Sequence, residues 1–354
     1  MDSLTPDYLD ALSFGAEQLA TLRSVGEYRG KQTLYFHQAP ETLKALREVA
    51  VIESSESSNR LEGVTVSPGR LAPLVLRRTD PKNRSEQELA GYRDALALVH
   101  ESAREMQFTG NVMLQLHGLL CRYLPDKGGR WKSTNNDIIE KNPDGSMHIR
   151  FTPTPAHLVP TQIHELENNY RAAADSGRHE PLVLVPLAIL GFLCIHPFRD
   201  GNGRIARLLS LMMLYRFNYE VGRYISLERI IEESKETYYE TLEASSQGWH
   251  EGRHDVMPWL NYFWGVLLRA YREFEERVGA VHRGRGAKTE QVRLAVLARQ
   301  QPFAISDIEA ECAGVSRDMV RHVLRRMKQE QLIELRGKGR GAKWIVVKTT
   351  GEEK

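Results

Sequence analysis

Residues 196–207 read HPFRDGNGRIAR, a stretch that sets a proton acceptor, an acid, two glycines around an asparagine and two arginines in close succession. Asp200-Gly201-Asn202-Gly203 is turn chemistry, because glycine tolerates positive φ and Asn and Asp bond to local backbone. Beyond Gly203, residues Ile205, Leu208, Leu209, Met212 and Met213 recur at helical spacing. The glycines therefore stand at a helix N-terminus, where free N–H groups and the helix dipole favour an anion. Arg204 and Arg207 are three apart, share a face of the first turn, and can fork around phosphate oxygens. Asp200 lies where a hard cation such as Mg2+ would bridge protein and phosphates. His196 can take a proton from an incoming hydroxyl. Singly, each residue has an ordinary use: a satisfied core histidine, a common turn, a solvated arginine face. Together they describe a site that handles a nucleotide triphosphate.

The flanking elements must hold that loop in place. Leu182–Ile195 is almost wholly apolar and reads as a buried helix feeding the loop, interrupted by Pro186. Val112–Leu124 carries apolar residues at helical spacing, and Met257–Val278 reads as a long helix. Pro125–Pro160 is rich in Gly, Pro and Asn, and Asn136–Glu140 and Met147–Phe151 are candidate hairpin arms joined by Asn142-Pro143-Asp144-Gly145. The alternative there is an exposed loop. The fold class is mainly α.

HPFRDGNGRIAR resembles the signature of the Fic (Fic/Doc) family, HxFx(D/E)GNGRxxR, at every defined position. The resemblance implies a helical core with a β-hairpin flap that docks a target segment as an added strand. It implies transfer of AMP from ATP to a Ser, Thr or Tyr hydroxyl of a target protein or of the chain itself, with Mg2+ as cofactor. By the same likeness His196 is the general base, Phe198 anchors the loop and Asp200 is the metal ligand. Gly201, Asn202 and Gly203 form the anion hole, and Arg204 and Arg207 meet the β- and γ-phosphates. The Doc branch, which phosphorylates, lacks the second glycine and the distal arginine; both are present here. Of Tyr238 and Tyr239, the resemblance places Tyr239 near the adenine, while the plain reading is two core aromatics.

Ser58-Asn59-Arg60-Leu61-Glu62-Gly63 fits the family's inhibitory signature, (S/T)xxxE(G/N). Alone the string is common and reads as a capped, solvated helix end. Beside the main motif it implies that Ser58 and Glu62 belong to an inhibitory helix and that Glu62 pairs with Arg207. An arginine neutralised by a carboxylate cannot also orient a γ-phosphate. Some relatives use this glutamate to position a water that removes AMP, so a de-AMPylase is an alternative. The family also includes homodimers that control this helix.

The chain has 354 residues and a net charge of +2. That length accommodates two or three domains, read as 1–105 (N-terminal helices with the inhibitory segment), 106–280 (catalytic core) and 281–354. The three cysteines, Cys121, Cys194 and Cys312, have no metal spacing, which points to a reducing, cytoplasmic setting without a disulfide framework. No apolar run is long enough to span a bilayer.

Charge is uneven. Residues 281–349 carry 15 Lys/Arg against 7 Asp/Glu, while residues 1–280 carry a net −5. His282–Lys288 is a basic, glycine-containing linker. The predicted order beyond it is a helix at Thr289–Arg299, a short helix at Asp307–Cys312 capped by Ser306, and a helix at Arg317–Gln329. Strands at Leu332–Leu335 and Lys343–Val347 follow, joined by Gly337–Gly341. This resembles a winged helix that presents Ser316, Arg317, Arg321, Arg325 and Arg326, with Arg336, Lys338 and Arg340 on the wing. Such cations suit DNA phosphates; the alternative use is protein contact. A second functional class is therefore a DNA-binding transcription regulator whose core senses nucleotide.

Overall fold

A computed structural model describes residues 3–38, 40–141 and 147–282, and from the C-terminal segment 289, 292–293, 295–296, 299, 302–312, 315–330, 332–337 and 342–346. The Asn142–Gly145 turn, the Arg283–Lys288 linker and Lys338–Gly341 lie outside the described residues. The chain divides into two compact units, Met1–Phe36 with Leu43–Phe274, and His37–Thr42 with Glu275–Lys354.

The first unit is built almost entirely of helices. In chain order they are α1 (Pro6–Ala11), α2 (Ala16–Gln38), α3 (Pro40–Leu61), α4 (Pro68–Val75), α5 (Arg84–Ser102) and α6 (Gly110–Leu120). A hairpin of β1 (Ile138–Lys141) and β2 (Met147–Phe151) follows, then α7 (Val159–Asp175), α8 (Pro181–Ile195), α9 (Asn202–Arg216), α10 (Leu227–Glu233), α11 (Lys235–Ser246) and α12 (Met257–His282). Three of these helices, α5, α6 and α10, start where a side chain takes up a free N–H group of the first turn. Asn83 accepts from Glu86, Thr109 from Val112 and Ser226 from Arg229.

α8 is the central element: all of its residues but Pro181 and Leu193 are buried. Pro186 lies inside it rather than ending it. A proline cannot donate to the carbonyl four residues back. That carbonyl, Leu182 O, instead accepts from Trp264 Nε1 at 2.7 Å, and Pro186 O accepts from Trp259 Nε1 at 2.7 Å. Trp264 thus fills the break in the helical ladder, and both tryptophans tie α12 to α8.

β1 and β2 pair antiparallel, with Ile139 opposite Ile149 and Lys141 opposite Met147, and a register irregularity at Ile138/Ile139. Met147 and Ile149 of β2 are exposed. The segments flanking the hairpin are tied to the loop after α8 and to the turn after α11. Lys132 N–H donates to Pro197 O at 2.8 Å, and His250 Nε2 lies 2.9 Å from Thr152 O.

The second unit contains helices Ile305–Glu311 and Arg317–Gln329 and an antiparallel pair, β3 (Ile333–Arg336) and β4 (Lys343–Val346). Its core includes Val292, Phe303, Ile308, Val323, Leu324 and Trp344. Phe303 exchanges both backbone hydrogen bonds with Trp344, at 2.9 and 2.8 Å. The short helix begins two residues before the predicted start. Asp307 rather than Ser306 sets it, since its carboxylate accepts from Ala304 N–H at 2.8 Å. No described helix is long and apolar enough to cross a membrane.

Candidate active site

The chain leaves α8 through His196, whose φ of 51° is left-handed. The loop that follows is held from inside. Asn202 Oδ1 accepts from Phe198 N–H at 2.9 Å and its Nδ2 donates to Phe198 O at 2.8 Å. Both ends of the Asn202 amide are therefore spent on the loop itself. Phe198 is buried and stacks on His117, with ring centroids 3.9 Å apart, beside Trp131. His117 Nε2 lies 3.2 Å from Asp200 O, and its Nδ1 accepts from Gly129 N–H at 3.0 Å. Because that leaves Nε2 as the protonated nitrogen, His117 donates to the loop. Burial lowers its pKa to about 4, so it stays in this neutral form.

Gly201 takes φ 81° and begins α9. Gly203, expected in the turn, lies instead inside the first turn of α9. Its lack of a side chain serves proximity rather than backbone freedom: a Cβ there would collide with Glu62 Oε1 and press on Arg207 Nη1.

Arg204 and Arg207 of α9 point to different partners, and both are buried. Arg204 Nη1 donates to Glu88 Oε2 of α5 at 2.7 Å and to Asn59 Oδ1 of α3 at 3.3 Å. Arg207 Nη2 donates to Glu62 Oε1 at 2.8 Å and to Ser58 O at 2.9 Å, while its Nε donates to Ser58 Oγ at 2.9 Å. Burial works against the Arg207 charge; Glu62, with Tyr238 and Tyr92, more than offsets it, so the pKa lies above the usual arginine value. α3 is fastened in turn to α5 and α10. Ser54 Oγ donates to Glu228 Oε2 at 2.7 Å, Tyr92 OH donates to the other oxygen of that buried carboxylate at 2.7 Å, and Arg60 forks onto Glu232 at 2.7 and 2.9 Å.

One cleft brings together Glu62, His196, Arg199, Asp200, Gly203, Arg207 and Tyr239, with Asn136, Ile138, Arg150 and Phe151 from the hairpin side. Gly201, Asn202 and Arg204 stand behind its wall. Asp200 is 71% exposed; its Oδ1 accepts from Gly201 N–H at 2.6 Å and lies 3.8 Å from Arg204 Nη2. Among the described residues no group of three or more His, Cys, Asp or Glu side chains could hold a metal ion. A lone exposed carboxylate at the cleft mouth fits Mg2+ only if phosphates supply further ligands, which is the usual Mg2+ arrangement.

His196 Nδ1 lies 3.2 Å from Leu193 O. A carbonyl only accepts, so Nδ1 carries the proton and Nε2 is the basic nitrogen. Burial holds the imidazole at about 4; the Leu193 bond opposes this and the Lys132 ammonium adds to it. Lys132 is itself buried, donates from Nζ to Asn136 Oδ1 at 2.8 Å, and is lowered by burial to about 8. Tyr239 OH lies 3.4 Å from Leu61 O, and Arg150 of β2 covers its ring at 5.1 Å. Tyr238 is buried among Tyr239, Trp259 and Tyr262.

Sequence reasoning missed Glu88, Asn59, His117, Lys132 and Arg150. Glu88 and Asn59 carry no local signal of their cross-helix partner. Trp131-Lys132 precede the predicted hairpin and Arg150 lies in its second arm, and that position was the available clue.

The Fic/DOC family model matches residues 107–214, which span α6 to α9 and the whole loop. These residues are a Fic domain. The chain is similar to the protein adenylyltransferase Fic of Nematostella vectensis, 24% identical over 227 residues, 62% of this chain and 47% of that protein. The protein of the same name from Drosophila grimshawi is 24% identical over 231 residues, 64% of this chain and 43% of that one. The chain thus spans less than half the length of these curated relatives. Among solved structures, a Fic family protein from Desulfovibrio desulfuricans G20 superposes with a TM-score of 0.61 at 21% identity, covering 97% of this chain and 98% of that one. Fic-1 from C. elegans gives 0.58 at 19% identity, covering 75% and 73%. At these identities the likeness is one of fold: a Fic helical core with its hairpin.

Proposed function

We propose that the Fic domain transfers AMP from ATP to a hydroxyl side chain of a protein, and that Glu62 holds the site off at rest. The observation that carries this reading is the cleft itself. It sets a neutral histidine with a free Nε2 beside a helix N-terminus, and the one arginine facing the cleft from α9 is already bound by Glu62 and Ser58.

In this reading the target hydroxyl oxygen attacks the α-phosphorus and its proton passes to His196 Nε2. The bond from the α-phosphorus to the bridging oxygen of the β-phosphate breaks, and pyrophosphate leaves. Backbone N–H groups at the start of α9 and the Arg207 guanidinium orient the polyphosphate. Asp200 would hold Mg2+, which when bound offsets phosphate charge. Tyr239 and Arg150 border the space for the base, and the β1–β2 hairpin offers an exposed strand to the target segment. Glu62 competes with the γ-phosphate for Arg207. Because Glu62 lines the same cleft as His196, it also supports a second reading, in which it positions water to remove AMP from a modified protein.

Purified Glu62→Gly protein with ATP labelled on the α- or the γ-phosphate tests the proposal. Protein label from α and not γ is expected. Label from γ would indicate phosphorylation, and no transfer from either would sink the transferase reading. Release of AMP from a pre-modified sample, lost on Glu62→Gln, would favour the reverse reaction.

A further inference from the structure

In the second unit, the helix Arg317–Gln329 buries Val320, Val323, Leu324 and Met327 against its own hairpin and neighbouring helix. At 3.6 residues per turn, Arg317, Arg321, Arg325 and Lys328 fall within about a quarter of the circumference, alongside the buried stripe. All four are exposed. Ser316 caps the start of this helix through Met319 N–H, and Arg336 and Lys343 stand opposite each other at the turn end of the hairpin ladder.

We propose that this helix face binds duplex DNA, with its cations on backbone phosphates and the helix seated in the major groove. Charge complementarity selects the occupant. The segment 281–349 is strongly basic in a chain whose remainder is acidic. The ion pairs that the cations make are exposed: Arg317 with Glu309, and Arg321 with Asp318, whose side chain is 92% exposed. Such pairs contribute at most about 1 kcal/mol each and yield readily to phosphate. Arg325 and Lys328 make no ion pair among the described residues.

The same face is a poor fit to a protein partner. Stable protein interfaces need buried apolar or aromatic anchors, and the only large exposed hydrophobic residue described in this unit is Leu335 on β3. Duplex RNA is disfavoured because its deep, narrow major groove excludes a helix. A two-helix arrangement followed by a hairpin, with the second helix cationic and outward, is the geometry that major-groove readers use.

The test uses the full chain and a fluorescein-labelled, mixed-sequence DNA duplex about three helical turns long. Anisotropy at several salt concentrations should show log affinity falling linearly with log salt. Arg321→Glu with Arg325→Glu should weaken binding at low salt at least about tenfold and lower the salt slope by about 2, in proportion to the contacts removed. Circular dichroism and the melting transition should be unchanged, because both side chains are exposed; Arg321→Gln with Arg325→Gln is the milder companion. Arg23→Glu with Arg178→Glu, the same charge change on exposed residues of the first unit, should leave binding intact. No binding at low salt would overturn the proposal. Equal losses in both charge-reversal pairs, or tighter binding of single-stranded DNA or duplex RNA, would overturn it as well.

Discussion

Glu62 Oε1 lies 2.8 Å from Arg207 Nη2, although the two residues are 145 positions apart. The contact is enclosed on one side by Gly203, where any side chain would displace the carboxylate. A buried, forked guanidinium has little freedom to serve a second anion. The first consequence concerns rate. Glu62→Gly should raise incorporation of α-labelled AMP at least about tenfold, a change equivalent to roughly 1.4 kcal/mol of barrier. Equal incorporation by the variant and the parent chain would show that the ion pair does not limit the reaction.

The same substitution should cost stability. Removing the carboxylate leaves Arg207, 4% exposed, with only Ser58 as partner. The full penalty for orphaning a buried charge is about 3–5 kcal/mol; because Glu62 is 27% exposed, solvent screening reduces this to roughly 1–2 kcal/mol. Chemical denaturation without nucleotide should show the loss. Adding ATP and Mg2+ should recover part of it for Glu62→Gly and little for the parent chain.

Ser58 gives an internal control. Ser58→Ala removes the hydroxyl that accepts from Arg207 Nε but keeps both Glu62 and the Ser58 carbonyl. Its rate should fall between the parent and Glu62→Gly. Combined with Glu62→Gly it should add almost nothing, because both act on one guanidinium. Fully additive effects would place Ser58 in a separate role.

His196 carries the pH prediction. Its folded pKa of about 4 leaves Nε2 unprotonated at neutral pH. For Glu62→Gly, kcat/KM should therefore stay level as pH falls through 6.5, and drop only towards 4. An acid limb centred near 6.5 would mean that the base is a solvated group. His196→Ala should abolish transfer while equilibrium dialysis still detects bound ATP.

Stability should follow pH for a related reason. Burial depresses His100 to about 3, and His117, His196 and His254 to about 4. The unfolded chain takes up protons near 6.5, so between about 6.5 and 4 it binds more protons than the folded one. The stability from keeping these rings neutral is present above 6.5 and lost as pH falls through that window. Urea midpoints at pH 7 and pH 5 test the direction: a midpoint at pH 5 equal to or above that at pH 7 would count against it.

How much was legible in the sequence depended on whether the chemistry was local. The loop at 196–207 was readable because its acid, glycines and arginines are contiguous, and the helical period after Gly203 placed them at a helix start. The Glu62–Arg207 pair came from a likeness between motifs, since nothing in the spacing of α3 and α9 dictates it. Arg204 shows the limit: its partner Glu88 is one of several acids on α5, and which of them meets α9 is a matter of helix packing. Pro186 did not break the predicted helix, for a reason the sequence does not show. Locally it is a helix breaker, yet a tryptophan some eighty residues later supplies the missing donor.

His196 closes α8 in the left-handed region at φ 51°, a conformation that costs a residue with a side chain about 1–2 kcal/mol relative to glycine. The aim of the imidazole is thus set by the backbone as much as by its rotamer. Folding alone would prefer glycine at 196, whereas the proposed reaction requires the ring. Stability and proton transfer pull this position in opposite directions. Among variants that have lost the ring, His196→Gly should melt above His196→Ala. A drift of 196 towards glycine would mark a copy of this fold that has given up chemistry while keeping its shape.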